Sequence, residues 1–233
     1  MTAFTDKVVT VCGEELALFE GGALKEYDKA VFQRVGKYWD ELAKIPDYKA
    51  WKGYNGRSDV KLELKSNGEV KKIIRNKNQP WSAAFISWVA KQAGAGDHFH
   101  YGPSHSVYMV KALREAKKAT SKAKKATSKA KFIARRHTQY APKAGDLIAC
   151  ERRSLEDATF DTYIDFVVAG RFEAHCDFIV GFNEAKTKII TIGGNVGNSV
   201  KAKSWPLNSK GHVGDRDPTS SVAGVVCIIE CRL

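Results

Sequence analysis

Apolar residues recur at helical spacing in the first half of the chain and in short strand-like runs in the second. Residues 5–20 and 24–44 follow the helical period. In the second segment Val31, Val35, Tyr38, Trp39 and Leu42 form one stripe, and Gly21 and Gly22 divide the two segments. From Tyr48 to Asn78 polar residues punctuated by Gly, Asn and Lys predict a loop, with a short hairpin around Ser66, Asn67 and Gly68. A third helix is predicted over 80–93, and a fourth from Ser106 to about Lys118. After Arg136 the runs "GDLIAC", "AHCDFIVGF", "KIITIGG" and "VAGVVCIIEC" read as strands, with "FNEAKTK" as a hairpin connection. Helices followed by such strands predict an α+β fold, its N-terminal helices packed on a C-terminal antiparallel sheet.

The third helix is apolar on more than one face. Trp81, Ala84, Phe85 and Trp88 share one side, while Ser82, Ile86, Val89 and Ala93 share the next, so the helix is expected to be buried nearly all round. Pro80 suits a first helical turn, which places Ser82 beside unpaired N–H groups at the positive end of the helix. Ser82 is then either an ordinary helix-start residue or a nucleophile whose oxyanion those N–H groups would hold. The second role needs a base from elsewhere in the chain.

Composition limits the function classes. With 233 residues, 43% of them hydrophobic, the chain can bury a sizeable core. No stretch approaches the roughly 18 apolar residues of a membrane span, and the N-terminus is too polar for a secretory signal, which predicts synthesis in the cytoplasm. The five cysteines are scattered and form no CxxC pair, so neither a disulfide framework nor a zinc site is expected. Cys227 and Cys231 fall on one strand face, where core packing is the simpler reading. Of the net charge of +12, the segment from Lys111 to Arg136 carries +10. It contains a tandem heptad, "AKKATSK" at 116–122 and again at 123–129. The repeat has no aromatic residue for base stacking, which ranks nucleic acid last among partners and leaves a solvated basic insertion.

The base is sought in "EAHCDFIVGF". Alternation puts His175 and Asp177 on one strand face and sends Cys176 to the other, away from His175. Two polar groups on an otherwise apolar strand need polar partners to be buried. Asn195 follows two glycines at the end of the next strand, where a hairpin could bring it to His175. Ser82, His175 and Asn195 then supply nucleophile, base and orienting group, although each also has an ordinary structural reading.

In their order, "PWSAAFISWVAKQAG", "APKAGDLIACE", "AHCDFIVGF" and "TIGGNVGNSV" resemble the NlpC-type and CHAP branch of papain-like amidohydrolases. More narrowly they are similar to a little-characterised bacterial family known as a domain of unknown function. The resemblance covers roughly residues 25–205 and leaves the lysine repeat outside it. It implies one papain-like domain over residues 1–233. Its parts are a helical region and loop at 1–78, the nucleophile helix at 79–110, the basic insertion at 111–136 and the sheet at 137–233. It also implies cleavage of peptidoglycan stem-peptide amide bonds without metal or organic cofactor, with the roles of nucleophile, base and orienting group falling on Ser82, His175 and Asn195. Serine stands where the superfamily has cysteine, so Asp177, Asp146 and His105 are kept as further candidates. The expected setting is an antibacterial effector delivered to a target periplasm, with an immunity protein and a secretion carrier as partners. The alternatives are a phage-type endolysin and an inactive module that binds wall fragments or a partner protein.

Overall fold

The computed structural model describes residues 2–43, 60–67, 70–75, 80–120, 129–152, 158–170, 173–215 and 224–233. Helix α1 spans Ala3–Leu18, and the hydroxyl of Thr2 caps it by accepting the Thr5 N–H at 3.2 Å. The chain leaves α1 through Gly21 (φ +66°) and Gly22 (φ +102°), a conformation that glycine adopts without strain. Helix α2, Lys29–Ala43, starts later than the periodicity predicts. The Asp28 carboxylate accepts the Lys25 N–H at 2.6 Å and closes a turn that keeps the preceding residues out of the helix. The two helices are clamped by the buried Glu15, which takes Arg34 Nε at 3.0 Å on each oxygen and also the Tyr38 hydroxyl.

Strands β1 (Val60–Leu64) and β2 (Val70–Arg75) form an antiparallel hairpin with Ser66 and Asn67 in its turn; Gly68 lies outside the described residues. Helix α3 is Ser82–Gln92, and every residue from Ser82 to Ala90 is buried, as its two apolar faces require. Trp81 is its N-cap, so Pro80 precedes the helix instead of occupying its first turn. Helix α4, His105–Thr120, begins one residue earlier than expected and runs into the first heptad; residues 121–128 lie outside the described set.

The main sheet has six strands in the order β3-β8-β4-β5-β6-β7, and every neighbouring pair is antiparallel. They are β3 (Phe132–Arg135), β4 (Leu147–Glu151), β5 (Ala174–Phe182), β6 (Lys188–Gly193), β7 (Lys201–Pro206) and β8 (Val225–Cys231). The four predicted strands are the four inner ones; β3 and β7, the two edges, go beyond the sequence reading, as does the short helix α5 at Tyr163–Val168. In the connection from β5 to β6, the Asn183 side chain accepts the Lys188 N–H at 2.7 Å.

Together these elements make an α+β fold with N-terminal helices on a C-terminal antiparallel sheet. The larger core lies between helices and sheet, where Phe85, Met109 and Leu113 meet Cys176, Phe178 and Ile229. A smaller one on the opposite face gathers Ile148, Cys150, Ile179, Ile189 and Trp205. All five cysteines are free and buried, Cys227 and Cys231 both in the larger core. Among the described residues no helix is long and apolar enough to cross a membrane.

Candidate functional site

The head of α3 is fixed by Trp81. Its indole N–H donates to the buried Glu26 carboxylate, and its ring stacks on Phe19 and Tyr38 with centroids 6.0 and 5.7 Å away. The N–H groups of Ser82, Ala83 and Ala84 head the helix ahead of the first helical bond, Phe85 N–H to Trp81 carbonyl at 2.9 Å. Ser82 Oγ lies 2.7 Å from His105 Nε2. The other ring nitrogen of His105, Nδ1, meets the Tyr108 hydroxyl one helical turn on, and that hydroxyl also contacts the Cys176 thiol. With the ring proton on Nδ1 and donated to Tyr108 Oη, Nε2 is free to accept from Ser82.

A second polar group stands against the first. The His105 and His175 rings meet edge to face with centroids 5.3 Å apart. His175 opens β5, across from Cys150 of β4, and Asp177 lies across from Ile148. Arg152 donates to His175 Nδ1 at 3.1 Å. A guanidinium offers no acceptor, so Nδ1 is the unprotonated nitrogen and the ring proton sits on Nε2. That nitrogen is 2.7 Å from Asp177 Oδ1, without the alignment of a hydrogen bond, and neither atom has a hydrogen-bond partner. The other Asp177 oxygen takes Lys203 Nζ at 3.4 Å and the Thr191 hydroxyl at 3.5 Å, and Thr191 in turn accepts the Trp205 indole N–H at 3.2 Å.

Burial sets the electrostatics. His105 is held well below the ordinary histidine value, first by desolvation and then by His175 and Arg152, with Asp177 acting against them. His175 is also lowered, by burial first, with Asp177 opposing and Arg152 and Lys203 adding to the shift. Both rings are therefore neutral near pH 7, and His105, whose Nε2 lone pair faces Ser82, is the one placed to accept its proton. Burial acts to raise the Asp177 carboxyl, but His175 and Lys203 outweigh it and hold the group well below the usual carboxylate range. Desolvation drives the Cys176 thiol well above its ordinary value, which removes it as a nucleophile.

The sequence candidates thus separate. Ser82, His105, His175 and Asp177 come together, but the Ser82 hydroxyl is paired with His105, where His175 was the expected base. Asn195 lies past β6 in a turn at φ +58°, and its side chain makes no hydrogen bond among the described residues; Asp177 is the group in contact with His175 Nε2. Asp146 is buried at the far end of β4, where it accepts from Tyr140, Lys143 and the Cys231 N–H, and so staples the sheet. Tyr108, Arg152 and Lys203 join the site without having been singled out. The spacing His-x-x-Tyr on a helix was a usable signal for Tyr108; nothing local marked the other two. Among the described residues no group of three His, Cys, Asp or Glu side chains is arranged to hold a metal ion.

The glycine pair between β6 and Asn195 has a steric cause. A Cβ on Gly193 would collide with Asp177 Oδ1, and one on Gly194 would lie 2.5 Å from Phe85 Cβ. Gly193→Ala is therefore expected to displace the Asp177 carboxylate and cost about 1–3 kcal/mol. A thermal midpoint within a degree of the parent would contradict that packing.

Residues 26–225 match a family described as an uncharacterized protein conserved in bacteria, DUF2272. No curated protein and no solved structure matches the chain.

Proposed function

The chain belongs to the bacterial family DUF2272, and from that premise we propose that it is a peptidoglycan amide hydrolase with Ser82 as nucleophile and His105 as its base. The observation that carries the proposal is the 2.7 Å contact between Ser82 Oγ and His105 Nε2 at the head of a buried helix. Ser82 attacks the peptide carbonyl as its proton moves to His105, and the N–H groups leading α3 hold the oxyanion. His105 then returns the proton to the leaving amine and activates the water that releases the acyl group. Kinship with papain-like NlpC and CHAP enzymes belongs to the same proposal. It is supported by a nucleophile at a helix head, a histidine opening a strand, and helices ahead of an antiparallel sheet.

The wall as substrate is supported by the bacterial family and by the basic segment, whose charge suits anionic wall polymers. Delivery to a rival's periplasm as an antibacterial toxin completes the reading. Protein expressed in the periplasm should lyse or slow susceptible cells while cytoplasmic expression does not. Digestion of purified muropeptides followed by mass analysis is the direct test: the parent releases fragments and Ser82→Ala releases none. Equal cleavage by Ser82→Ala would remove the nucleophile assignment.

A second reading is favoured by burial. Ser82 is 3% exposed, His105 4%, His175 6% and Asp177 1%, which suits an inactive relative that binds wall fragments or a partner protein. Tight binding to sacculi with no fragment released by parent or variant would select it.

A further inference from the structure

Against Tyr108, with neither Ser82 nor His105 in its lining, lies a cavity of about 300 Å³ between α4, the turn at 97–100 and the start of β3. That volume is at the lower end of small-ligand sites. Its apolar wall is a set of packed rings: Phe99 lies 5.1 Å from Tyr108 and 5.0 Å from Phe132 between centroids. Its polar side is cationic. Lys111, Lys129 and Lys131 line it, against the carboxylates of Asp97 and Glu115. Glu115 is shared between Lys118 at 2.9 Å and Lys111 at 3.8 Å, the shorter contact being to Lys118, and Asp97 is exposed. Lys131 is half-buried, and among the described residues neither it nor Lys129 has an ion-pair partner. A partly desolvated ammonium beside an aromatic wall is stabilised by a ligand that brings its own negative charge.

We propose that this cavity binds a small organic carboxylate with an apolar body, its carboxylate at Lys111 and Lys131 and its body against Phe99, Tyr108 and Phe132. Occupancy is felt at the candidate active site, because the ring that walls the cavity carries the hydroxyl that meets His105 Nδ1. A ligand that orders the Tyr108 ring orders the His105 tautomer able to accept from Ser82. The cavity is thus a second site, separate from the position of the scissile bond, and its binding step does not depend on the hydrolase reading.

The test uses the full chain and 4-fluorobenzoate, followed by fluorine NMR. Saturable binding to one site is expected, with at least tenfold weaker affinity in the folded Lys111→Gln/Lys131→Gln double variant. 4-Fluorobenzylamine, of like shape and opposite charge, should not bind there, and Ser82→Ala should bind as the parent does. Equal binding of the amine, or undiminished affinity in the double variant, overturns the site. On saturation with 4-fluorobenzoate the His105 ring resonances should shift in the parent and stay unmoved in the double variant. Unmoved resonances in the parent refute the coupling to His105. Failure of either part leaves the fate of muropeptide cleavage to its own assay.

Discussion

Replacing His105 with alanine is expected to lower muropeptide cleavage by about a thousandfold or more, close to the loss from Ser82→Ala, because nucleophile and base act as one unit. A serine hydroxyl is hardly ionised near neutral pH, so its attack depends on a base within hydrogen-bond reach. His105 Nε2 meets that condition at 2.7 Å, and the Tyr108 hydroxyl on Nδ1 supports the tautomer in which Nε2 accepts. His175 does not compete on equal terms. Its Nδ1 lone pair is taken by Arg152 and its Nε2 proton stands beside Asp177, so no lone pair remains for the Ser82 proton. The negative charge that favours the imidazolium formed on His105 during attack comes from Asp177, against which His175 and Arg152 act. His175→Ala should therefore cost less than His105→Ala, and rates measured with purified muropeptides on folded variants decide between them. The reverse order would make His175 the base and His105 its support.

The inner sheet was legible because its strands are covered on both faces and so carry apolar runs, as in "DLIAC" and "VVCIIEC". The edges were not. "KFIAR" is short and "KAKSWP" alternates lysines with small residues, both common in edge strands, where a continuous apolar run is neither needed nor safe. Within the site, alternation placed Asp177 beside His175, and the structure makes it the contacting group. Asn195 suits the role on a hairpin drawn straight to residue 195, but β6 ends at Gly193 and Asn195 follows it at positive φ, outside the strand. The pairing of Ser82 with His105 joins α3 to the start of α4 across a turn of irregular geometry, a relation that no periodicity encodes. Arg152 and Lys203 reach the site from the end of one strand and from an edge strand, and sequence spacing offers no measure of either approach.

Acid should destabilise the fold well before its carboxylates are neutralised. His105 and His175 have folded-state proton affinities below the ordinary histidine value, with burial the leading cause in each. As pH falls below about 6.5 the unfolded chain takes up protons that the two buried rings refuse, so unfolding is favoured. The slope approaches about 1.4 kcal/mol per pH unit for each ring, or about 2.7 for both, until the folded values are reached. Against a typical total of roughly 5–15 kcal/mol, one or two pH units are decisive. Asp177 contributes with the sign of a depressed carboxyl: its stabilisation is present above about pH 4 and is lost at lower pH as the folded group is protonated. Denaturant midpoints at pH 7.5, 6 and 5 should therefore fall steadily in the parent, with the slope against denaturant unchanged. His105→Gln and His175→Gln should each flatten the decline by about half, whatever they do to stability at pH 7.5. A parent midpoint that does not move between pH 7.5 and 5 would show that the two rings are not buried as a neutral pair. Losses of decline in the two single variants that do not add up to the loss in the double variant would show that the rings titrate as one coupled unit.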